Sequence, residues 1–147
     1  MEKKIRKAVR TYLIEDDKIV VINYTQHDKG YYDIPGGKIE DGETPEEASI
    51  REFKEETGIM ITKQHYLGNC IIEYPNRIYD FDIFVVDNYQ GEPVQMCENQ
   101  AMWININNLN MERKLFPNIE VIKYLKPDMN VRIECDTNHN ILKLEAK

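Results

Sequence analysis

The sequence predicts an α+β fold, a layered sandwich of β-strands and helices. Segments rich in β-branched and aromatic residues recur along the chain, and they are typical of strands. Two further segments begin with residues that start helices. Turns rich in glycine, proline and asparagine separate these segments, and strands mixed with helices in one chain pack as layers around a common core.

Length and composition indicate a globular protein of ordinary domain size. The chain has 147 residues, 41% of them hydrophobic and 31% charged, so we expect one domain spanning residues 1–147. A net charge of −7 argues against an extended nucleic-acid surface. No apolar run has the length of a membrane span, and the N-terminal segment lacks the apolar centre of a signal peptide. We therefore expect a cytoplasmic protein without membrane contact, and a homodimer is possible.

Three strands are predicted before the first helix. Their β-branched and aromatic residues are interrupted by acidic, polar and glycine-rich stretches that are typical of turns. In order, we expect a hairpin of strands 8–14 and 18–24, a polar loop at 25–30, and a short strand at 31–34 that ends at two adjacent glycines.

Residues 45–57 are predicted to form a helix with a defined start and end. Thr44 is the expected N-cap, Pro45 takes the first helical position, and Glu47 completes a capping box. Gly58 suits the left-handed conformation just after the last turn.

The rest of the chain predicts a second group of strands and one more helix. Proline and asparagine turns separate these elements. In order, we expect strands at 62–74 and 77–86, a polar loop at 89–98, a strand at 101–106, a helix at 118–125 and a hairpin of 130–136 with 141–144.

The cysteines and histidines predict no ligand group. The cysteines are odd in number, widely spaced and contain no CxxC pair, which argues against a disulfide framework or a zinc site. The histidines are isolated from one another. These residues are Cys70, Cys97 and Cys135, and His27, His65 and His139.

The first helix has an acidic side. At about 100° per residue, Glu52, Glu55 and Glu56 lie within an arc of roughly 100°. Ile50 and Phe53 are expected to face the sheet, which leaves the glutamates at its edge. Because like charges repel at this spacing, the cluster predicts a bound cation, and all-oxygen ligands on a rigid helix favour Mg²⁺ or Mn²⁺.

The spacing of this region resembles the Nudix box, the motif of the Nudix hydrolases, which cleave a nucleoside diphosphate linked to another group. The resemblance implies a mixed β-sheet between helices, an α/β/α sandwich, and a small nucleotide substrate. The matching residues are Gly37, Glu43, Arg51, Glu52, Phe53, Glu55, Glu56, Gly58 and Ile59.

The resemblance also implies roles for individual residues. Glu52, Glu55, Glu56 and the backbone carbonyl of Gly36 are the expected ligands of Mg²⁺, for which Mn²⁺ is a possible substitute. The general base is left open between Glu52 and Glu98, because relatives of this family take it from different positions.

Five further residues are candidates for structural or substrate contacts. The resemblance implies that Arg51 pairs with Glu43 and holds the loop against the helix, which we favour over a phosphate clamp. Arg10, Lys38 and Arg77 are the candidates for contacting substrate phosphates, although a residue of this kind is more often simply solvated.

The substrate branch is less sharply indicated. Residues 115–122 resemble a segment of the MutT-like nucleoside triphosphate branch, in which Asn118 would face the base, although a proline-started helix would show the same residues. We expect hydrolysis of a (deoxy)nucleoside triphosphate, with an oxidised base as the favoured case. The alternatives are an ADP-ribose or nucleotide-sugar pyrophosphatase, a branch that Pro75 weakly favours, and a non-catalytic nucleotide- or RNA-binding module.

Overall fold

A computed structural model describes residues 2–96, 99–109 and 114–147 of the chain. Within these residues the chain forms twelve strands and two α-helices. The strands are β1 (Lys4–Tyr12), β2 (Ile14–Glu15), β3 (Lys18–Asn23), β4 (Tyr31–Asp33), β5 (Gly36–Lys38), β6 (Met60–Glu73), β7 (Arg77–Gln90), β8 (Gln95–Met96), β9 (Asn99–Asn105), β10 (Lys114–Leu115), β11 (Met129–Cys135) and β12 (Ile141–Ala146), and the helices are α1 (Pro45–Thr57) and α2 (Pro117–Glu120).

The strands form two sheets. In the first sheet the order is β12-β11-β6-β7-β1-β5, with parallel pairs β1–β7 and β6–β11 and antiparallel pairs elsewhere. In the second sheet the order is β10-β4-β3-β9-β8, and β2 pairs with β3. The predicted α+β fold with a mixed sheet is therefore confirmed.

The core lies where the two sheets meet. Tyr12 and Phe81 of the first sheet share one cluster with Ile19 and Ile104 of the second. The opposite face of the first sheet is covered by α1, where Ala48 packs with residues of β1 and β7. Both faces of the central strands are thus buried, which fixes the position of α1 against the sheet.

Helix α1 has the predicted bounds and caps. The Thr44 side chain accepts a hydrogen bond from the Glu47 backbone N–H at 3.1 Å, and the Glu47 carboxylate accepts one from the Thr44 N–H at 3.0 Å. Gly58 has a φ of 82°, a left-handed conformation that glycine adopts without steric cost. Phe53 is fully buried on the side facing the sheets.

The predicted hairpin of residues 8–14 and 18–24 forms only next to its turn, and the prediction is wrong for the rest of the first strand. Strand β1 pairs with β5 and β7 in the first sheet, and only the two-residue strand β2 forms a hairpin with β3 in the second. The chain changes sheets at Leu13, which is buried and whose carbonyl accepts a hydrogen bond from the Val20 N–H at 3.1 Å. Residue types favour a strand here but do not specify its partner.

Two other predicted elements differ in extent. The α-helical part of the predicted helix 118–125 is only α2, and a 3₁₀ helix continues it over Val121–Tyr124. No side chain caps its N-terminus at Phe116, so a local helix signal is missing. Strand β7 extends into the predicted loop 89–98, and β8 lies within that loop.

The structure also describes two of the three cysteines. Cys70 and Cys135 are free and buried, and burial raises the pKa of the Cys70 thiol to about 12. Cys97 lies outside the described residues. In the described part of the chain, no helix has the length and apolar character needed to cross a membrane.

Candidate active site

Gly36 and Gly37, at the start of β5, lie directly against the acidic helix, and residues 35–37 are called the glycine turn below. The Gly36 N–H donates a hydrogen bond to Glu56 Oε1 at 2.8 Å. A Cβ at Gly36 would lie 2.0 Å from the Val9 carbonyl oxygen, and one at Gly37 would lie 2.6 Å from both carboxylate oxygens of Glu52. The backbone of β1 therefore leaves room only for glycine at Gly36, whereas a side chain at Gly37 would have to displace the Glu52 carboxylate.

The three predicted metal-binding glutamates differ in their surroundings. The Glu52 side chain is 16% exposed and that of Glu55 is 57% exposed. Burial raises the pKa of Glu56 to about 8, although Arg10 and the Gly36 N–H both favour its charged form. Burial likewise raises the pKa of Glu52, and Arg51 opposes this shift. Burial therefore disfavours the charged form of both carboxylates.

Arg51 pairs with two of these three glutamates. Its Nη1 lies 2.9 Å from Glu52 Oε1 and 3.2 Å from Glu55 Oε2. In this arrangement, no three His, Cys, Asp or Glu side chains among the described residues converge as metal ligands. The donor set nevertheless fits a hard divalent ion, because it consists of carboxylate and backbone oxygens around a cradle that glycine keeps open.

The same arginine joins the loop to the helix. Arg51 Nε donates to Glu43 Oε2 at 2.6 Å, and Nη2 donates to Glu43 Oε1 at 2.9 Å. Nη2 also donates to the Lys38 carbonyl at 3.0 Å. The hydrogen bonds from Arg51 lower the pKa of Glu43 to about 2. The predicted contact between Glu43 and Arg51 is therefore made through two parallel hydrogen bonds.

A cavity of about 260 Å³ is lined by Arg10, which is paired with Gly36 in the first sheet. Aromatic rings supply much of its wall, and Asn118 is its most buried amide, with 3% of its surface exposed. Asn118 Nδ2 donates to Asp33 Oδ1 at 3.4 Å, whereas Asn118 Oδ1 is buried without a hydrogen-bond partner in the described part of the chain. The aromatic residues of the wall are Tyr24, Tyr74, Tyr79, Phe81 and Phe116.

Arg10 and Asp33 form a buried ion pair at the inner end of this cavity. Arg10 Nη2 lies 3.5 Å from Asp33 Oδ2, Nη1 donates to the Ile34 carbonyl at 2.8 Å, and the guanidinium lies 4.8 Å from the centre of the Phe81 ring. Burial raises the pKa of Asp33, and the charge of Arg10 opposes this. Arg10 thus places a positive charge between the aromatic cavity and Glu56.

A second cavity of about 540 Å³ adjoins the first and shares Arg10, Tyr79 and Phe81 with it. Gly37, Lys38 and the basic start of β1 line this second cavity. The structure therefore places the predicted substrate-binding residues in two neighbouring spaces. Arg77 and Asn118 line the smaller cavity, Lys38 lines the larger one, and Arg10 lines both. Glu98, the alternative candidate for the general base, lies outside the described residues.

Several cavity residues were not among the predicted site residues. Asp33, Tyr74 and His139 line the smaller cavity together with Asn118. Asp33 could have been recognised from the sequence, because it is an acidic residue within a short strand next to the glycine turn. An acidic side chain that is buried at such a position requires a partner of opposite charge or a hydrogen-bond donor. His139 has no such signal, because its position depends on the pairing of β11 with β6.

Comparisons with known proteins agree with this combination of fold and site. The family model of the NUDIX domain matches residues 4–125. The 8-oxo-dGTP diphosphatase of Escherichia coli is 34% identical over 84% of this chain and 98% of that protein. Together with the fold and the site, these matches define a hydrolase of phosphoanhydrides. The chain belongs to the Nudix family.

Other similar proteins come from the same family. The oxidized purine nucleoside triphosphate hydrolase of Danio rerio is 38% identical over 50% of this chain, and the match spans only 49% of that protein. A crystal structure of a MutT mutator protein from Bacillus halodurans superposes with a TM-score of 0.80 over 97% of both chains, at 17% identity, which shows the fold alone. A MutT structure from work on Aliivibrio salmonicida and Vibrio cholerae has a TM-score of 0.66 and 30% identity, over 82% of this chain and 95% of that one. The chain is thus a Nudix hydrolase, a class that generally uses a divalent metal ion.

Proposed function

We propose that this chain hydrolyses nucleoside triphosphates to a monophosphate and pyrophosphate, with an oxidised-base (deoxy)nucleoside triphosphate as the favoured substrate. The observation that carries the proposal is the buried, unpartnered Oδ1 of Asn118 in an aromatic cavity that shares Arg10 with the space next to Gly37. Two of the similar proteins are named as hydrolases of oxidised purine nucleotides.

The cavity suits a nucleobase for two physical reasons. Aromatic rings provide faces on which a base can stack. A buried carbonyl oxygen without a partner costs about 1–3 kcal/mol, which an N–H donor of a ligand would recover. Oxidation of a purine at C8 turns its N7 from an acceptor into an N–H donor, so Asn118 Oδ1 is complementary to the oxidised base.

The glutamates suit a magnesium ion, with manganese as a possible substitute. Glu52, Glu55, Glu56 and the carbonyl of Gly36 would hold it. When bound, it supplies positive charge to the phosphate oxygens and helps to orient the attacking water. Because Arg51 contacts Glu52 and Glu55 through one guanidinium nitrogen, this contact must loosen on binding, while the two bonds from Arg51 to Glu43 keep the loop in place.

Protein side chains have separate tasks in this proposal. Glu52 is either a ligand of the ion or the general base, and Glu98 is the alternative base. Arg10, Lys38 and Arg77 hold the phosphates and the rim of the base cavity. Glu43 and Arg51 are structural, since they join the loop to α1.

We further propose that residues 1–147 form one cytoplasmic Nudix domain. Its partner is a small nucleotide, without an extended nucleic acid, and a homodimer is possible.

The test is turnover of a substrate panel by the purified chain with Mg²⁺ and, separately, with Mn²⁺. The panel contains normal and oxidised nucleoside triphosphates, ADP-ribose, nucleotide sugars and capped RNA, with products resolved by chromatography. Release of monophosphate and pyrophosphate supports the proposal. Cleavage confined to ADP-ribose or nucleotide sugars would make the other branch correct, and nucleotide binding without any turnover would identify a non-catalytic module.

A matched pair of variants tests the role of the glutamates. Glu56→Gln keeps an acceptor for the Gly36 N–H but removes the charge, and we expect at least about a 10²-fold loss of kcat. Glu46→Gln is the control because Glu46 is exposed on the same helix, and its activity should equal that of the wild type. If Glu56→Gln retained hydrolysis within a few-fold, Glu56 would not be a metal ligand.

A further inference from the structure

The C-terminal hairpin lies beyond the part of the chain that the family model matches, yet it reaches the nucleotide cavity. The match ends at residue 125, and β11 and β12 follow it. Strand β11 runs parallel to β6 with Glu134 opposite Glu73, which brings the β11–β12 turn next to the β6–β7 turn. As a result, His139 lines the same cavity as Asn118.

The His139 ring packs among aromatic residues from three other parts of the chain. Its side chain is only 10% exposed, and its ring centre lies 4.1 Å from that of Phe116. The rings of Tyr31 and Tyr74 are 5.3 and 5.5 Å away. His139 Nδ1 and the Tyr74 hydroxyl share a hydrogen bond of 2.8 Å. These contacts fix both the position and the rotation of the imidazole.

The turn that carries His139 is held by side-chain hydrogen bonds. Asp136 Oδ1 accepts from the backbone N–H groups of Asn138 and Asn140 at 2.8 and 2.9 Å. His139 has a φ of 66°, a left-handed conformation that costs energy for a residue other than glycine. The Asp136 bonds offset this cost, and the Tyr31 hydroxyl donates to the Asn138 carbonyl at 3.4 Å. These hydrogen bonds therefore hold the turn in the conformation that places the His139 side chain at the cavity.

The second imidazole nitrogen, Nε2, faces Asp28, another residue that lines the cavity. His139 Nε2 lies 3.6 Å from Asp28 Oδ1, which is longer than a hydrogen bond. Asp28 is itself half exposed in the loop between β3 and β4. Because Nδ1 is hydrogen-bonded to Tyr74, Nε2 is the ring nitrogen that can form a hydrogen bond with a ligand.

We propose that His139 is a specificity-determining residue of the nucleotide site, where it contacts the base. The inference rests on the proposed function. The C-terminal hairpin is then part of the substrate site and decides which bases fit, while the glutamate helix and the glycine turn act on the phosphates common to all substrates.

The test compares kcat/KM for an oxidised purine, a normal purine and a pyrimidine nucleoside triphosphate in the same enzyme preparation. The ratio between two substrates does not depend on the fraction of folded enzyme, so a loss of stability alone does not change it. We expect His139→Ala to change at least one ratio by about tenfold or more. His139→Phe keeps a ring against Phe116 but lacks the nitrogens, and we expect it to change the ratios as well.

The control is His65→Ala, because His65 is 51% exposed and pairs with Asp87, and neither residue lines the cavity. Ratios within twofold of the wild type in both His139 variants would overturn the inference. If the wild type hydrolysed no triphosphate, the proposed function would fail on its own. In that case the affinity of His139→Ala for nucleoside monophosphates, measured by calorimetry, tests the role of His139. A loss of affinity that depends on the base supports this role, and unchanged affinities contradict it.

Discussion

At the scale of single residues, Arg51 both joins the loop to α1 and contacts the glutamates of the predicted metal site. Its two bonds to Glu43 and its bond to the Lys38 carbonyl tie the loop to α1, and its third nitrogen faces Glu52. Because all three nitrogens point to carboxylate or carbonyl oxygens of the protein, Arg51 has little capacity left for a substrate phosphate.

We therefore expect Arg51→Ala to lower the free energy of unfolding together with kcat/KM. Urea unfolding and steady-state kinetics on the same preparation measure the two effects. Arg51→Lys should recover only part of the stability, since one ammonium group cannot replace a bidentate guanidinium. Lys54→Ala is the control because Lys54 is exposed on the same helix. Lost activity with an unchanged unfolding curve would assign Arg51 to the substrate instead.

Asn118 carries the prediction about base recognition. Asn118→Ala removes the buried Oδ1 acceptor, and loss of one hydrogen bond of about 1–2 kcal/mol corresponds to roughly a tenfold higher KM. The effect on kcat should be small, because the base lies away from the reacting phosphorus. Asn108→Ala, at an exposed position, provides the control. Equal KM values for wild type and Asn118→Ala would remove Asn118 from the base site.

At the scale of elements, the two glycines of the turn are expected to respond differently to the same substitution. A Cβ at Gly36 meets the Val9 backbone at 2.0 Å, whereas a Cβ at Gly37 meets only the movable carboxylate of Glu52. Gly36→Ala should therefore destabilise the fold. Gly37→Ala should fold normally but displace Glu52, and a displacement of about 1 Å can cost about 10²-fold in rate.

Thermal unfolding and kcat of both glycine variants measure this contrast. Each variant serves as the control for the other, because the substitution is identical and the positions are adjacent. A Gly37→Ala protein with wild-type kcat would show that the position of Glu52 does not matter for turnover. A Gly36→Ala protein as stable as the wild type would contradict the close approach of β1 to the turn.

Helix α1 was predictable from the sequence because its signals are local. The capping box at Thr44, the proline after it and Gly58 all lie within a few residues of the helix ends, so no distant contact is needed to recognise them. The partner of β1 was not predictable, since the same residues can pair in either sheet. Its true partners β5 and β7 become apparent only when the buried residues on both of its faces are known.

The same distinction holds for the candidate site. The acidic helix and the glycine turn lie within about twenty residues of each other, so their spacing alone brought them together. The cavity is assembled from β1, β4, the β6–β7 turn, α2 and the C-terminal hairpin. Tyr74 and His139 meet because β11 pairs in parallel with β6 across a long stretch of chain. No local pattern around residue 139 encodes that pairing.

At the scale of the whole molecule, charge is distributed unevenly. The net charge is −7, yet the start of β1 and Lys38 bring several cations to the larger cavity, next to the glutamates of α1. The cations of the larger cavity would face the phosphates of a bound nucleotide. The glutamates of α1 carry negative charge, which a divalent ion would offset. The whole fold is therefore expected to gain stability when a divalent ion binds.

We expect Mg²⁺ to raise the melting temperature of the wild type, because a ligand that binds only the folded state stabilises it by mass action. At about 100 times Kd the gain is about 2.7 kcal/mol, or roughly 5–10 °C for a chain of this length. Calorimetric melting with MgCl₂, and with NaCl at equal ionic strength, separates binding from screening. Glu56→Gln should lose most of the shift and Glu46→Gln should keep it. Equal shifts in all three proteins would mean that Mg²⁺ acts away from the glutamate helix.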